Sequence, residues 1–366
     1  MQARAAPSPD DVAGRILRGD QRSLARLLSA LEDGEAWSGA ALRLLRNGAF
    51  RASLEGAERG DAQVVGITGP PGSGKSTLVD KLIEAYRARG ERVGVLAIDP
   101  SSPFSGGAIL GDRIRMQGRA GVDEGVFIRS LASRGRLGGL SRASAQCARA
   151  LEAAGYGIVI VETVGIGQSE VDIVRLADSV VLVSMPGSGD EIQTIKAGVM
   201  EIGDIFAVNK ADREGADRAV GEIRSMLETA AELAAGRVPE AAPDTLIGHR
   251  DFARALARER SALSESTGMP PVLKTVAETG EGVPELVAAL DAHWARLKIS
   301  GELDARRRRG AIAEARALLS GRVMEELEAL EGGLEDALAG EIVRGEREAT
   351  EAAELLFESI RKGGGK

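Results

Sequence analysis

Gly69-Pro70-Pro71-Gly72-Ser73-Gly74-Lys75-Ser76 is the stretch on which the reading of this chain turns. It fits G-x-x-x-x-G-K-[ST] and falls between an apolar β-rich run, Val64 to Thr68, and an amphipathic helical run, Thr77 to Arg89. That strand-loop-helix setting is the one the motif requires. Glycines let the backbone turn so that its N–H groups face phosphate oxygens, and the N-terminus of the following helix adds its dipole. Lys75 is expected to reach the β- and γ-phosphates and the Ser76 hydroxyl to ligate Mg²⁺. The alternative is a glycine-rich turn that binds nothing, and the flanking elements argue against it. The expected ligand is a nucleoside triphosphate or its product.

Outward from this loop the same texture repeats. Short apolar runs at Val93 to Asp99, Val126 to Leu131, Ile158 to Glu162, Val180 to Ser184, Ile205 to Asn209 and Val272 to Thr275 predict strands. Helical spacing predicts helices over Ser141 to Ala154, Arg213 to Leu233 and Val283 to Leu297, with a weaker one over Arg250 to Leu263. Alternation of this kind predicts an α/β fold with a mostly parallel sheet covered on both faces, and function at the C-terminal ends of its strands. Before Val64 the apolar spacing reads as two packing helices, interrupted at Gly19-Asp20. After Ile299 strand signal is lost, and Leu318, Val323, Leu327, Leu330, Leu334 and Leu338 mark a helix pair whose apolar stripe must pack on the main domain or on another chain.

Composition narrows the class. The chain has 366 residues, 43% hydrophobic and 28% charged, with a formal net charge of −8. An acidic balance argues against general binding to nucleic acid or anionic lipid. Cys147 is the single cysteine, so no internal disulfide forms, and with only His249 and His293 as imidazoles a His/Cys zinc site is not expected. Oxygen ligands remain, and they suit magnesium. No run of 18 apolar residues occurs, and a cytoplasmic location without membrane association is expected.

Other elements then find their places around the loop. Asn209-Lys210-Ala211-Asp212 closes the run Ile205 to Asn209 and matches N-K-x-D. A carboxylate at Asp212 accepts from both the N1–H and the 2-amino group of guanine, a donor pair adenine lacks, so GTP or GDP is expected over the adenine nucleotides. Asp99 and Glu162 each end a predicted strand, where an acid is expensive unless it meets a cation or donors. Mg²⁺ bridging phosphates is the functional reading, and a carboxylate capping a loop is the alternative. Asp112 is a third candidate acid. The glycine-rich Gly187-Ser188-Gly189-Asp190-Glu191, with Lys196 beyond it, reads either as a mobile reporter segment or as a plain turn capped by Asp190.

In chain order, GPPGSGKST, AIDPSSPFSGGAILGDRIRM, VETVGIGQSEVDI and PGSGDEIQTIKAGVMEIGDIFAVNKAD resemble the MeaB/ArgK family of metallochaperone GTPases, relatives of the methylmalonic aciduria type A protein in the signal-recognition-like class of P-loop NTPases. The resemblance runs from about Val12 to Leu297. It implies an N-terminal helical extension over 1–60, a GTPase domain over 61–299 and a C-terminal helical dimerisation arm over 300–366. It further implies a homodimer that associates with an adenosylcobalamin-dependent acyl-CoA mutase, usually methylmalonyl-CoA mutase, and gates loading and release of its cofactor. Carried onto this chain, Gly69 to Thr77 is the phosphate loop, with Lys75, Asp99 and Glu162 as catalytic groups. Ser76, Asp99, Asp112 and Glu162 become the magnesium and switch set, and Gly165 belongs to the turn that senses the γ-phosphate. Gly187 to Glu191 with Lys196 become the switch toward the mutase. Asn209, Lys210 and Asp212, with Val276-Ala277 contacting through backbone, recognise guanine.

Two departures bear on the partner. Relatives carry Trp-x-Pro-Pro where this chain has Thr267-Gly268-Met269-Pro270-Pro271, and Arg306 to Arg309 form a charge run expected as a solvated face or, less commonly, a contact for an acidic partner. An amino-acid-transport ATPase or kinase and a nickel-insertion GTPase are the competing functions. Asp212 argues against the first, the near absence of His and Cys against the second. No glutamine or arginine stands out to position the attacking water, so slow turnover, accelerated by a partner, is expected.

Overall fold

The computed structural model describes residues 6–53, 61–100, 123–133, 143–163, 169–187, 203–234, 269–328 and 333–363. Asp112, Gly165, Ser188 to Glu191, Lys196 and the helix expected over Arg250 to Leu263 lie outside these residues, as does the side chain of Asp99.

Seven strands form one sheet: β1 (Gln63–Thr68), β2 (Val93–Pro100), β3 (Val126–Ser133), β4 (Ile158–Thr163), β5 (Ser179–Ser184), β6 (Ile205–Val208) and β7 (Val272–Lys274). Each falls on one of the expected runs. Their order is β3-β2-β4-β1-β5-β6-β7, every pairing parallel. Parallel strands need crossovers that cover both faces, so the inner strands are mostly apolar, with polar residues at their ends; β1, β4 and β5 are buried at every position.

Strand alternation sorts these side chains between the two faces of the sheet. On β4, Val159 and Val161 enter one core while Ile158 and Ile160 enter the other; on β6, Ile205 and Ala207 oppose Phe206 and Val208. Helices α5 (Lys75–Ala88) and α9 (Val283–Ser300) cover one face, with Leu78, Leu82, Ile83, Tyr86, Leu286 and Leu290 inward. The other face takes α6 (Ser144–Ala153), α7 (Ser169–Leu176) and, beside β6, α8 (Ala216–Ala234). Glycine on β1 admits α7: a Cβ at Gly66 would stand 2.8 Å from Ile173 and 2.9 Å from Ala177.

Four helices, not two, precede the sheet: α1 (Pro9–Leu17), α2 (Gln21–Asp33), α3 (Ala36–Arg46) and α4 (Gly48–Ala52). The expected break is real. Gly19 takes φ 90°, and Asp20 caps α2 by accepting from the N–H groups of Arg22 at 2.9 Å and Ser23 at 3.3 Å. Val12, Ile16, Leu24, Leu27, Leu28 and Leu45 share one core with Leu96, Leu131, Leu151 and Val161 of the sheet and α6, so these helices are part of the same body.

The chain divides into two compact units, Met1–Arg309 and Gly310–Lys366. Helix α10 (Glu302–Glu328) begins in the first; α11 (Leu334–Val343) and α12 (Ala349–Gly363) belong to the second, so three helices stand where a pair was expected. Within the second unit Leu338, Ala352 and Ile360 are buried, while Ile312, Leu319, Met324, Val343 and Phe357 are exposed.

The charge run is corrected by the fold. Arg308 and Arg309 are solvated, but Arg306 and Arg307 are held inside the first unit by Asp204 and Asp178, the residues immediately before β6 and β5. Burial alone would lower the Arg306 guanidinium, but the charge and hydrogen bonds of Asp204 outweigh it, and its pKa lies above the usual arginine value.

Candidate nucleotide site

Because all seven strands run the same way, their C-terminal ends share one edge, and β1, between β4 and β5, delivers the glycine loop to the middle of it. The turn out of β1 depends on Gly69, at φ 140°, where a Cβ would lie 2.0 Å from the carbonyl oxygen of Val183 on β5. No side chain fits there. Gly74 caps α5 at φ 88°, and a Cβ on it would meet Asn209 Nδ2 at 2.4 Å. Between them Ser73 N donates to Pro70 O at 3.3 Å, closing the loop on itself.

Lys75 is buried at 6% exposure, and its ammonium donates to Gly69 O at 2.8 Å and Pro70 O at 2.9 Å. The charge thus sits over the loop, at the N-terminus of α5, where anions are favoured by backbone donors and dipole. Next to it, Ser76 Oγ donates to Glu162 Oε1 at 2.6 Å, a short charge-assisted bond between the start of α5 and the end of β4. Thr163 Oγ1 donates to Thr68 Oγ1 at 3.0 Å, tying the ends of β4 and β1 together behind that pair. Ser76 and Glu162, read separately from sequence, are therefore adjacent.

The N-K-x-D element lies on the same edge, after β6. Asn209 is 1% exposed, donates from Nδ2 to Ser73 O at 2.8 Å, and accepts at Oδ1 from Ala277 N at 3.0 Å and Thr275 Oγ1 at 3.3 Å. The oxygen and one N–H of its buried amide are engaged within the protein, so Asn209 braces the phosphate loop against the segment after β7.

Lys210 does related work, donating from Nζ to Gly72 O at 2.7 Å. Its φ of 56° makes it the one non-glycine residue at positive φ among those described, held by Ala211 N donating to Thr275 O at 3.1 Å and Arg213 N to Lys210 O at 3.0 Å. That turn leaves the Asp212 side chain exposed at the edge.

The N–H groups of Val276 and Ala277 donate to Glu281 O at 2.9 Å and Asn209 Oδ1 at 3.0 Å. Gly282, at φ 75° with Lys274 O 2.0 Å from any Cβ, closes this tight loop. Thr275 is the member of the site that sequence reading missed; its signal was its place at the C-terminal end of a strand beside N-K-x-D. Gly187, at φ 85°, begins the loop after β5, and its continuation through the switch candidates lies outside the described residues.

Comparison with known proteins agrees with this geometry. The family described as methylmalonyl Co-A mutase-associated GTPase MeaB matches residues 24–331. A Pyrococcus horikoshii protein described as a GTPase is 42% identical over 96% of this chain and 98% of its own length. GTPase ArgK of Escherichia coli is 37% identical over 63% of this chain and 68% of its own. The mitochondrial methylmalonic aciduria type A homolog of Mus musculus is 35% identical over 66% of this chain and 52% of its own. In fold, the chain is similar to a crystal structure of a LAO/AO transport system kinase, with a TM-score of 0.61 at 24% identity, covering 98% of this chain and 100% of that one. A glycine loop on the central strand, a lysine over it and an N-K-x-D turn braced to it belong, with these relatives, to one lineage: the chain is a member of the MeaB/ArgK family of P-loop GTPases.

Proposed function

We propose that this GTPase associates with an adenosylcobalamin-dependent acyl-CoA mutase of the methylmalonyl-CoA type, and that its nucleotide state gates loading and release of the mutase cofactor. The observation that carries the reading is the match of 24–331 to a family described as mutase-associated, on a chain whose phosphate loop and N-K-x-D turn are complete.

In the chemistry we assign, GTP lies along the strand edge with its phosphates over Gly69 to Thr77. Loop N–H groups and the Lys75 ammonium stabilise the charge that develops on the γ-phosphoryl group during in-line attack by water. Asp212 accepts from guanine, while Asn209 and Lys210 keep the base-reading turn and the phosphate loop in register. Ser76 and Glu162 are oxygen donors 2.6 Å apart, a set that fits Mg²⁺. With Asp99 and Asp112 they would hold that ion, whose charge offsets that of the phosphates. The Gly165 turn and the segment from Gly187 through Ser188, Gly189, Asp190, Glu191 and Lys196 would report the γ-phosphate to the mutase. The arm over 300–366, with its exposed Ile312, Leu319 and Phe357, would join two protomers.

Binding of the purified protein to a cobalamin-dependent mutase from the same source, measured with GDP and with a non-hydrolysable GTP analogue, tests the reading. A complex whose affinity differs between the two nucleotides is expected, with GTP turnover raised in the complex. No complex in either state would overturn it.

A further inference from the structure

The opposite edge of the sheet carries a buried cluster of charge that the chemistry above does not use. Asp178 and Asp204 immediately precede β5 and β6, and each side chain is 3% exposed. Each carboxylate reaches sideways to the next strand: Asp178 Oδ2 accepts from Val64 N of β1 at 2.8 Å, and Asp204 Oδ2 accepts from Val180 N of β5 at 3.0 Å. Strands β1, β5 and β6 are thereby stitched in series at their N-terminal ends.

Two consecutive arginines near the start of α10 hold both stitches. Arg306 places two nitrogens on Asp204, at 2.9 Å each, and donates to the Asp178 carbonyl at 3.0 Å and to Glu302 at 3.0 Å. Arg307 grips the Asp178 carboxylate at 3.0 Å through two nitrogens, donates to Ala62 O at 2.8 Å just before β1, and lies 5.6 Å from the Trp294 ring centroid. His293 Nε2 stands 3.5 Å from Asp204, and its Nδ1 meets Ser179 Oγ at 2.7 Å.

Buried ion pairs are poor sources of net stability, because desolvation consumes most of their attraction, and fixing register is their best-attested use. Here the fixed objects are three short rods. The far end of β1 carries the phosphate loop, that of β5 the Gly187 loop, and that of β6 the Asn209–Asp212 turn. The interior around these strands is close-packed and hardly compressible, so strain imposed at one end of a strand is passed on to the other.

We propose that Arg306 and Arg307 are positioning residues of the GTPase site, setting from the root of α10 the relative register of the three strands that present the nucleotide loops. The inference rests on the nucleotide lying at the C-terminal strand edge.

The test pairs variants with a measurement on the wild-type protein. Affinity for a fluorescent GDP and kcat and KM for GTP are compared for wild type, Arg306→Gln, Arg306→Lys and Arg307→Gln, at a temperature where each is fully folded by circular dichroism. The glutamine variants are expected to bind GDP about fivefold or more weakly and to lose kcat, with part of the loss restored in Arg306→Lys. By reciprocity, GDP is expected to slow amide exchange in residues 302–309 of the wild-type protein, a result that stands even if a variant fails to fold. Folded variants with lowered melting temperature but unchanged affinity and kcat would overturn the proposal, as would exchange at 302–309 indifferent to GDP. Failure of the wild-type protein to bind GDP would instead remove the nucleotide reading on which the proposal rests.

Discussion

Asn209 shows how much one side chain can decide. Its amide joins the phosphate loop, the end of β6 and the turn after β7, and truncation leaves Ser73 O and Ala277 N without that partner in a buried setting. Asn209→Ala is expected to cost about 1–3 kcal/mol in unfolding free energy and to weaken GDP binding at least tenfold, measured by denaturant unfolding and nucleotide titration. Cys147 offers a check of a different kind. Burial, with a smaller contribution from the Glu32 charge, pushes its thiol up to about 12, and the side chain is fully enclosed in the core beside α2. At neutral pH it is therefore protonated and shielded, and it is expected to resist an alkylating reagent in the native protein and react with one equivalent on unfolding. Rapid native-state labelling would contradict that packing.

Among elements, the strands were the most legible and the helices around them less so. Each strand is a short apolar run bounded by turn residues, and burial on both faces makes that pattern hard to miss. Helix α7 escaped because its eight residues follow a glycine-rich loop and offer barely two turns of spacing. The α1–α2 junction, by contrast, is written in local chemistry: Gly19 takes the positive φ, and Asp20 accepts from two N–H groups and from Ser23 Oγ at 2.7 Å. Hydrogen bonds from Ser23 hold the Asp20 carboxyl below its ordinary range. Asp20→Ala is expected to lower stability by about 1 kcal/mol, seen as a reduced denaturant midpoint without loss of GDP binding, since the neighbouring Gln21 donates to Glu124 O just before β3, at the opposite end of the strands from the loop.

At the scale of the whole chain, the second unit carries the clearest expectation. Ile312, Leu319, Met324, Val343 and Phe357 expose large apolar area on helices whose own buried set is small, and such surface favours self-association. Sedimentation is expected to give a dimer that dissociates on dilution, and Leu319→Asp with Phe357→Asp is expected to yield a monomer that still binds GDP. A monomeric wild-type protein across the micromolar range would refute this.

The sequence by itself determined the sheet, the phosphate loop and the N-K-x-D turn, because each depends on residues close together in the chain: apolar runs, glycines at enforced positive φ, a lysine and hydroxyl at fixed spacing. The partners that Asn209, Val276, Ala277, Arg306 and Arg307 meet come from the fold. The partners of Asn209 stand 136 and 68 positions away, and Arg306 finds Asp204 across 102. A buried polar group takes whichever partner the fold brings within 3 Å or so, and no local pattern names that partner in advance.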